Sequence, residues 1–92
     1  MKPLIDLSII IVSWNVRDLL AECLNSISDT SPDDLKIEVI VVDSASGDDT
    51  VKMLQSRYPD VIVKACAENV GFTRGNNIGF SMASGRHLLL LN

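Results

Sequence analysis

The sequence has no run of basic residues. Eight Lys and Arg stand against twelve Asp and Glu, a formal net charge of −4. No Lys/Arg stripe of the kind that nucleic acid requires is present. Long apolar runs are missing too: Leu7–Val12 and Ile37–Val42 are far shorter than the about 20 residues a bilayer span needs. Met1-Lys2-Pro3 before an apolar stretch only faintly imitates a signal peptide, since Asp6 interrupts it. No small-residue cleavage site precedes Ser13-Trp14-Asn15. No targeting or transmembrane segment is read, and the expected location is the cytoplasm, including the cytoplasmic face of a membrane. Cysteine is scarce. Cys23 and Cys66 form no CxxC pair and no disulfide framework. Two phosphate-binding signatures are lacking as well: no GxGxxG follows the first apolar run, and no GxxxxGK[ST] occurs anywhere. A dinucleotide Rossmann domain and a P-loop are thereby disfavoured. The single histidine, His87, opens an apolar run and is read as structural.

What is present is ordinary globular material: 92 residues, 47% apolar and 22% charged, enough for one domain. Four apolar runs alternate with helix-like segments. Leu7–Val12 and Ile37–Val42 are continuous rather than alternating, as expected of strands covered on both faces. Val16, Leu19, Leu20, Cys23, Leu24 and Ile27 fall on one face of a helix that Asn15 can cap, with Asp18 in its first turn. Val51, Leu54 and Tyr58 carry a second helix inward, and Pro59 stops it. Val61–Val63 reads as a short third strand, Thr73–Ser84 as a third helix with Gly85 as its C-cap, and His87–Leu91 as a fourth strand. This βαβαβαβ alternation predicts an α/β fold, a partial doubly wound parallel sheet with right-handed crossovers. The predicted strand order is 3-2-1-4, with a pocket between the ends of the first and fourth strands.

Polar residues gather where strands end: Ser13-Trp14-Asn15, Asp43-Ser44-Ala45-Ser46 and Asn92. Loop polarity and helix capping account for Asn15, Ser46 and Asp48 unaided. Trp14 is different. A lone Trp just past a strand offers a flat wall to a base or sugar ring, or else covers the core. Asp43 supplies an acceptor for a base imide or a ribose hydroxyl. In Asn69-Val70-Gly71-Phe72-Thr73-Arg74-Gly75-Asn76-Asn77-Ile78-Gly79, glycines recur every four residues. In a helix each costs about 1 kcal/mol relative to Ala, so the segment requires close approach of a backbone, of a ligand, or of the sheet itself. Arg74 stands where a phosphate can meet it beside a helix N-terminus; the alternative is a solvated arginine.

Taken in order, four stretches resemble the N-terminal half of a GT-A-fold, inverting family 2 glycosyltransferase, nearest the rhamnosyltransferase-like members. They are Ser8-Ile9-Ile10-Ile11-Val12-Ser13-Trp14-Asn15, Val41-Val42-Asp43-Ser44-Ala45-Ser46-Gly47-Asp48, Glu68-Asn69-Val70-Gly71-Phe72-Thr73-Arg74-Gly75-Asn76-Asn77, and Ala83-Ser84-Gly85-Arg86-His87-Leu88-Leu89-Leu90-Leu91-Asn92. The resemblance implies a nucleotide-diphospho-sugar donor, with a UDP- or dTDP-sugar expected. Val12, Ser13, Trp14, Asp43 and Ser44 would line the nucleotide pocket, and Arg74 would lie towards the ribose or phosphates. Asn15, Gly71, Asn76 and Asn77 would support the loops. At Ser44 the sequence departs from the family's usual Asp or Asn. By the same likeness, residues 1–92 are expected to be the donor-binding N-terminal portion of a domain in surface-polysaccharide synthesis. The family's Mn or Mg ligands and catalytic base would lie beyond them, and no catalytic or metal-binding residue is assigned within the chain. The apolar fourth strand leads to an expected homo-oligomer through the sheet edge. The second reading is a non-catalytic interaction domain that keeps only the fold. A receiver-type domain is disfavoured, because Ser13-Trp14-Asn15 stands where an acidic pair would be needed.

Overall fold

The computed structural model describes residues 4–91. The readings placed on Met1-Lys2-Pro3 and on Asn92 lie outside the described residues. Seven elements alternate: β1 (Ile5–Ser13), α1 (Arg17–Thr30), β2 (Ile37–Asp43), α2 (Thr50–Arg57), β3 (Ile62–Ala65), α3 (Gly71–Met82) and β4 (Gly85–Leu91). All pairings are parallel and the order is β3-β2-β1-β4, as the alternation predicts. Ser13 stands opposite Asp43, and Ile10 opposite both Ile40 and Leu90.

Strand side chains alternate between faces, and both faces are covered here, which explains the continuous apolar runs Ile9–Val12 in β1 and Val39–Val42 in β2. Ile9, Ile11 and Val41 pack with Leu20, Ala21 and Leu24 of α1 and with Met53 and Leu54 of α2. Ile10, Ile40 and Val42, all fully buried, lie on the opposite face under α3. Each such aliphatic side chain contributes roughly 1.5–3 kcal/mol on burial. α3 can lie this close because it presents glycine to the sheet. A Cβ on Gly75 would stand 2.8 Å from both γ-carbons of Val12, and one on Gly79 would overlap Ile10. The glycine spacing therefore serves helix-on-sheet packing; at these two positions the near neighbour is the sheet and not a ligand.

Several local expectations are corrected. Asn15 does not cap α1: it adopts a left-handed conformation (φ 53°), and α1 has no side-chain N-cap bond. Asp48 serves that end from the neighbouring loop. Its Oδ2 accepts the Arg17 N–H at 3.1 Å, while its Oδ1 accepts the N–H and the hydroxyl of Thr50. One carboxylate thus meets the first residues of two helices. The Thr50 hydroxyl bond, joined by the Arg17 and Thr50 N–H groups, outweighs the opposing desolvation and holds Asp48 below the ordinary carboxylate pKa. Gly85 is not a C-cap but the first residue of β4, where a Cβ would press on Ser8 N at 2.7 Å and Leu7 C at 3.0 Å. α3 begins at Gly71, two residues before the predicted start, and ends at Met82. In α2, Thr50, Met53 and Leu54 are buried, whereas Val51 is half-buried. Leu19 falls on the apolar stripe but is 67% exposed; it lines an open cleft with Cys23 and Leu91 at the β4 edge of the sheet.

That edge is distinctive. Leu88, Leu89 and Leu90 are each more than 40% exposed, on a strand with a neighbour on one side only. Its start is fastened by Glu38. The Glu38 carboxylate accepts bonds from Ser8 Oγ (2.6 Å), Ser84 N (2.7 Å) and Ser84 Oγ (3.1 Å), and Ser8 Oγ in turn accepts the Gly85 N–H at 2.8 Å. Among the described residues, no helix is long and apolar enough to cross a membrane.

Candidate functional site

The polar strand ends come together at one rim, as parallel pairing requires. Ser13 and Asp43 end β1 and β2 in register, and the Ser44 N–H continues the ladder to Ser13 O at 2.8 Å. A cleft of about 280 Å³ opens there, lined by Val12, Ser13, Trp14, Ser44, Asn69, Gly71 and Phe72. Four of the six predicted nucleotide-binding residues, Val12, Ser13, Trp14 and Ser44, line it, together with Gly71 from the predicted supports. It lies at the ends of β1 and β2, where the β3–α3 loop brings in Asn69 to Phe72, while a smaller cleft of about 180 Å³, lined in part by Val12, Leu19 and Leu91, lies at the ends of β1 and β4.

Trp14 is 55% exposed and Phe72 53%. Neither is core, and both offer flat apolar surface to the same cleft. The floor is polar but internally engaged. Ser44 Oγ donates to Asn69 Oδ1 (2.8 Å) and accepts the Val70 N–H (2.8 Å); Asn69 Oδ1 also accepts the Gly71 N–H at 2.9 Å. These bonds fix the start of α3 and occupy two N–H groups at that end, leaving fewer for an anion. Gly71 has φ 79°, a left-handed conformation that glycine adopts without steric cost.

Asp43 lies beneath the cleft, 2% exposed. Its Oδ1 accepts the hydroxyls of Ser13 (2.8 Å) and Ser46 (2.6 Å), and its Oδ2 accepts the Ser46 N–H at 3.0 Å. Arg74 is exposed, three residues along α3 from Gly71 and hence near the same helical face. Asn76 is buried against the sheet and Asn77 is exposed. Asn15 joins the two rim loops, donating its N–H to Ser46 Oγ (2.9 Å) and accepting the Gly47 N–H at its Oδ1 (2.8 Å).

Asn69, Phe72 and Ser46 escaped the sequence reading as site residues. Asn69 and Phe72 sit inside the glycine-rich stretch, where the glycine spacing drew the attention. The available signal was Asn two residues before a Gly, an Asx turn leading into a helix. Among the described residues, no three of His, Cys, Asp and Glu converge. A larger cleft of about 450 Å³ lies at the opposite end of the sheet, lined in part by Leu24, Ile27, Ile37, Arg57, Tyr58 and Val61. It stands at strand N-termini, away from the rim where open α/β sheets bind ligands.

Comparison with known proteins agrees with this geometry. The chain is 31% identical over 90 residues to the minor teichoic acid biosynthesis protein GgaB of Bacillus subtilis, covering 95% of this chain and 10% of GgaB. The crystal structure of S. aureus TarS 1-349 in complex with UDP superposes with a TM-score of 0.84 at 24% identity, over 95% of this chain and 27% of that one. The mannosyltransferase PcManGT of Pyrobaculum calidifontis, in complex with GDP-Man and Mn2+, superposes with a TM-score of 0.67 at 30% identity, over 89% and 25% respectively. The chain thus spans about a quarter or less of the length of these relatives, and its four-stranded sheet is that of the GT-A fold. The family model for Glycosyl transferase family 2 matches residues 8–92, and the chain belongs to that family.

Proposed function

We propose that this chain is the donor-binding portion of an inverting glycosyltransferase that takes a UDP- or dTDP-sugar. The observation that carries the reading is the rim cleft, where two exposed aromatic rings stand over a polar floor. At about 280 Å³ it lies just below the usual range for small-molecule sites, about 300–1,000 Å³. That size suits a pyrimidine nucleoside better than a purine or a whole nucleotide sugar. Trp14 and Phe72 provide the stacking surface, with Val12, Ser13 and Ser44 around the base. Asp43 supports them from below, and Arg74 faces the diphosphate. Asn15 and Gly71 shape the surrounding loops, and Asn76 and Asn77 support the site from within α3.

No catalytic residue is assigned among residues 1–92, and inversion by single displacement needs a base carboxylate that we do not place here. PcManGT binds Mn2+, so a divalent metal, Mn or Mg, is proposed for the whole enzyme. The described side chains provide no group of three His, Cys, Asp or Glu to hold it. GgaB's role supports an acceptor in cell-wall or surface polysaccharide synthesis. Two unpaired cysteines, Cys23 and Cys66, suit a reducing compartment, and we place the reaction in the cytoplasm or at the cytoplasmic face of a membrane.

The test is a titration with UDP, dTDP and ADP, with and without Mn2+, followed by amide and indole chemical shifts. UDP and dTDP should shift Trp14, Ser44 and Phe72 with Kd near 1 mM, about 4 kcal/mol, and ADP should bind more weakly. An absence of shifts at these residues at several millimolar would favour the non-catalytic interaction domain.

A further inference from the structure

We propose that Ser46 is a positioning residue for the base-stacking wall. The inference deepens the nucleotide-binding reading above and rests on it. The tripeptide Ser13-Trp14-Asn15 is held at both ends by one buried carboxylate. At the first end the bond is direct, from Ser13 Oγ to Asp43 Oδ1 at 2.8 Å. At the second end it runs through Ser46, whose hydroxyl donates to the same Oδ1 at 2.6 Å and accepts the Asn15 N–H at 2.9 Å. A hydroxyl has one proton to give and lone pairs to accept with. Ser46 uses the proton towards Asp43 and a lone pair towards Asn15, so it can transmit the anchor and a methyl group could not. The Gly47 N–H closes the loop onto Asn15 Oδ1 at 2.8 Å.

Two features show what the anchoring accomplishes. Asn15 is held at φ 53°, a left-handed conformation that Asn tolerates better than most residues but that still costs free energy. The turn therefore needs bonds to keep it. Trp14, between the two pinned residues, makes the contrast: its neighbours are fastened while its side chain is 55% exposed and lines the cleft. A stacking wall with a fixed backbone and an open face is preorganised, and the ligand loses less on ordering it. Asp43 is already engaged at three bonds and scarcely reaches the surface. It acts on the base through this relay rather than by contact.

The test uses Trp14, the single tryptophan of the chain, as its own reporter. In Ser46→Ala, compared with wild type at a temperature where circular dichroism finds both folded, Trp14 fluorescence anisotropy should fall and acrylamide quenching should rise. UDP affinity should drop about five- to tenfold, the worth of roughly one hydrogen bond. Ser46→Thr, which keeps the hydroxyl, should recover most of both. If Ser46→Ala does not fold, Ser46→Cys, a weaker donor and acceptor, should show the same loss in part. Unchanged anisotropy and affinity in the folded variant that was measured overturn the inference. A wild type that binds no UDP overturns the nucleotide reading instead, while the ligand-free anisotropy still decides whether Ser46 positions Trp14.

Discussion

Replacing Gly75 by Ala sets helix propensity directly against packing. In isolation the change should stabilise α3 by about 1 kcal/mol, since glycine is that much poorer than alanine in a helix interior. The structure opposes it. The new methyl would sit 2.8 Å from both Val12 γ-carbons, where carbon pairs prefer about 3.5–4.0 Å, so roughly 1 Å of separation must be found. Val12 is β-branched and stiff about χ1, and its strand is paired on both sides. It cannot swing away cheaply, so α3 must lift. Overpacking of this kind costs about 1–3 kcal/mol, which leaves a net destabilisation near 1 kcal/mol. For a domain of this size that lowers Tm by about 4–8 °C.

The same displacement reaches the cleft, because Val12 is part of its wall and the lifted helix begins with Gly71 and Phe72. UDP titration of folded Gly75→Ala, followed by Trp14 fluorescence, should therefore weaken severalfold along with the fall in Tm. A raised Tm would show that α3 has slack over β1, and the close-packing explanation of the glycine spacing would be wrong. A lowered Tm with unchanged affinity would separate the helix from the site and refute the coupling.

Three further expectations follow from other parts of the chain. Gly85→Ala should cost more than Gly75→Ala, about 2–4 kcal/mol from backbone overlap and lost hydrogen bonds, since its methyl meets the main chain of β1 at 2.7–3.0 Å. Gly47→Ala, with open space around it, should stay within about 0.5 kcal/mol; equal Tm shifts for the two would count against this contrast. Burial alone would raise the Glu38 pKa, but the bonds from Ser8 and from the N–H and hydroxyl of Ser84 prevail and hold it below 4.5. A depressed carboxylate pKa gives stability that is present above the unfolded value and lost as pH falls through the folded one. The acid limb of denaturation below about pH 4.5 should therefore flatten in Glu38→Gln, and a limb parallel to wild type would refute the assignment. Chains should also associate through β4, whose three exposed leucines leave an apolar strand edge open. Sedimentation at tens of micromolar should find dimers or larger species that Leu89→Lys converts to monomer, and a monomeric wild type would refute it.

The βαβαβαβ order and the 3-2-1-4 sheet were legible because continuous apolar runs in β1 and β2 leave few other arrangements. The rim was legible for a related reason: parallel strands bring every C-terminal end to one side, so Ser13 and Asp43 had to meet. What escaped lies in distances that periodicity does not encode. A Gly before a strand looks like a helix cap until the Ser8 backbone is found against it. Asn15 has the composition of an N-cap, yet the cap is Asp48, which is distant in sequence and adjacent only once β1 and β2 have paired. Leu19 obeys the helical stripe, but its exposure depends on β4 being an edge, which is a property of the sheet and not of α1.

The same distinction orders the site residues by kind. Trp14 and Ser44 could be named from sequence because their oddness is local, a tryptophan at a strand end and a serine where the family usually has Asp or Asn. Ser46 could not, since a serine before a helix is commonplace and its importance comes from two partners, Asp43 and Asn15, that belong to different loops. The sequence pattern gives Asp43 a direct role at the strand end. Its burial and its bonds to Ser13 and Ser46 give it, in the proposed reading, the role of holding the turn that carries Trp14. A polar residue at a strand end in this fold is thus better judged by its count of internal partners than by its type. In the proposed nucleotide site, Asp43, whose acceptor atoms are engaged internally, would act on ligand through its neighbours, and Trp14, whose face is open, would touch it.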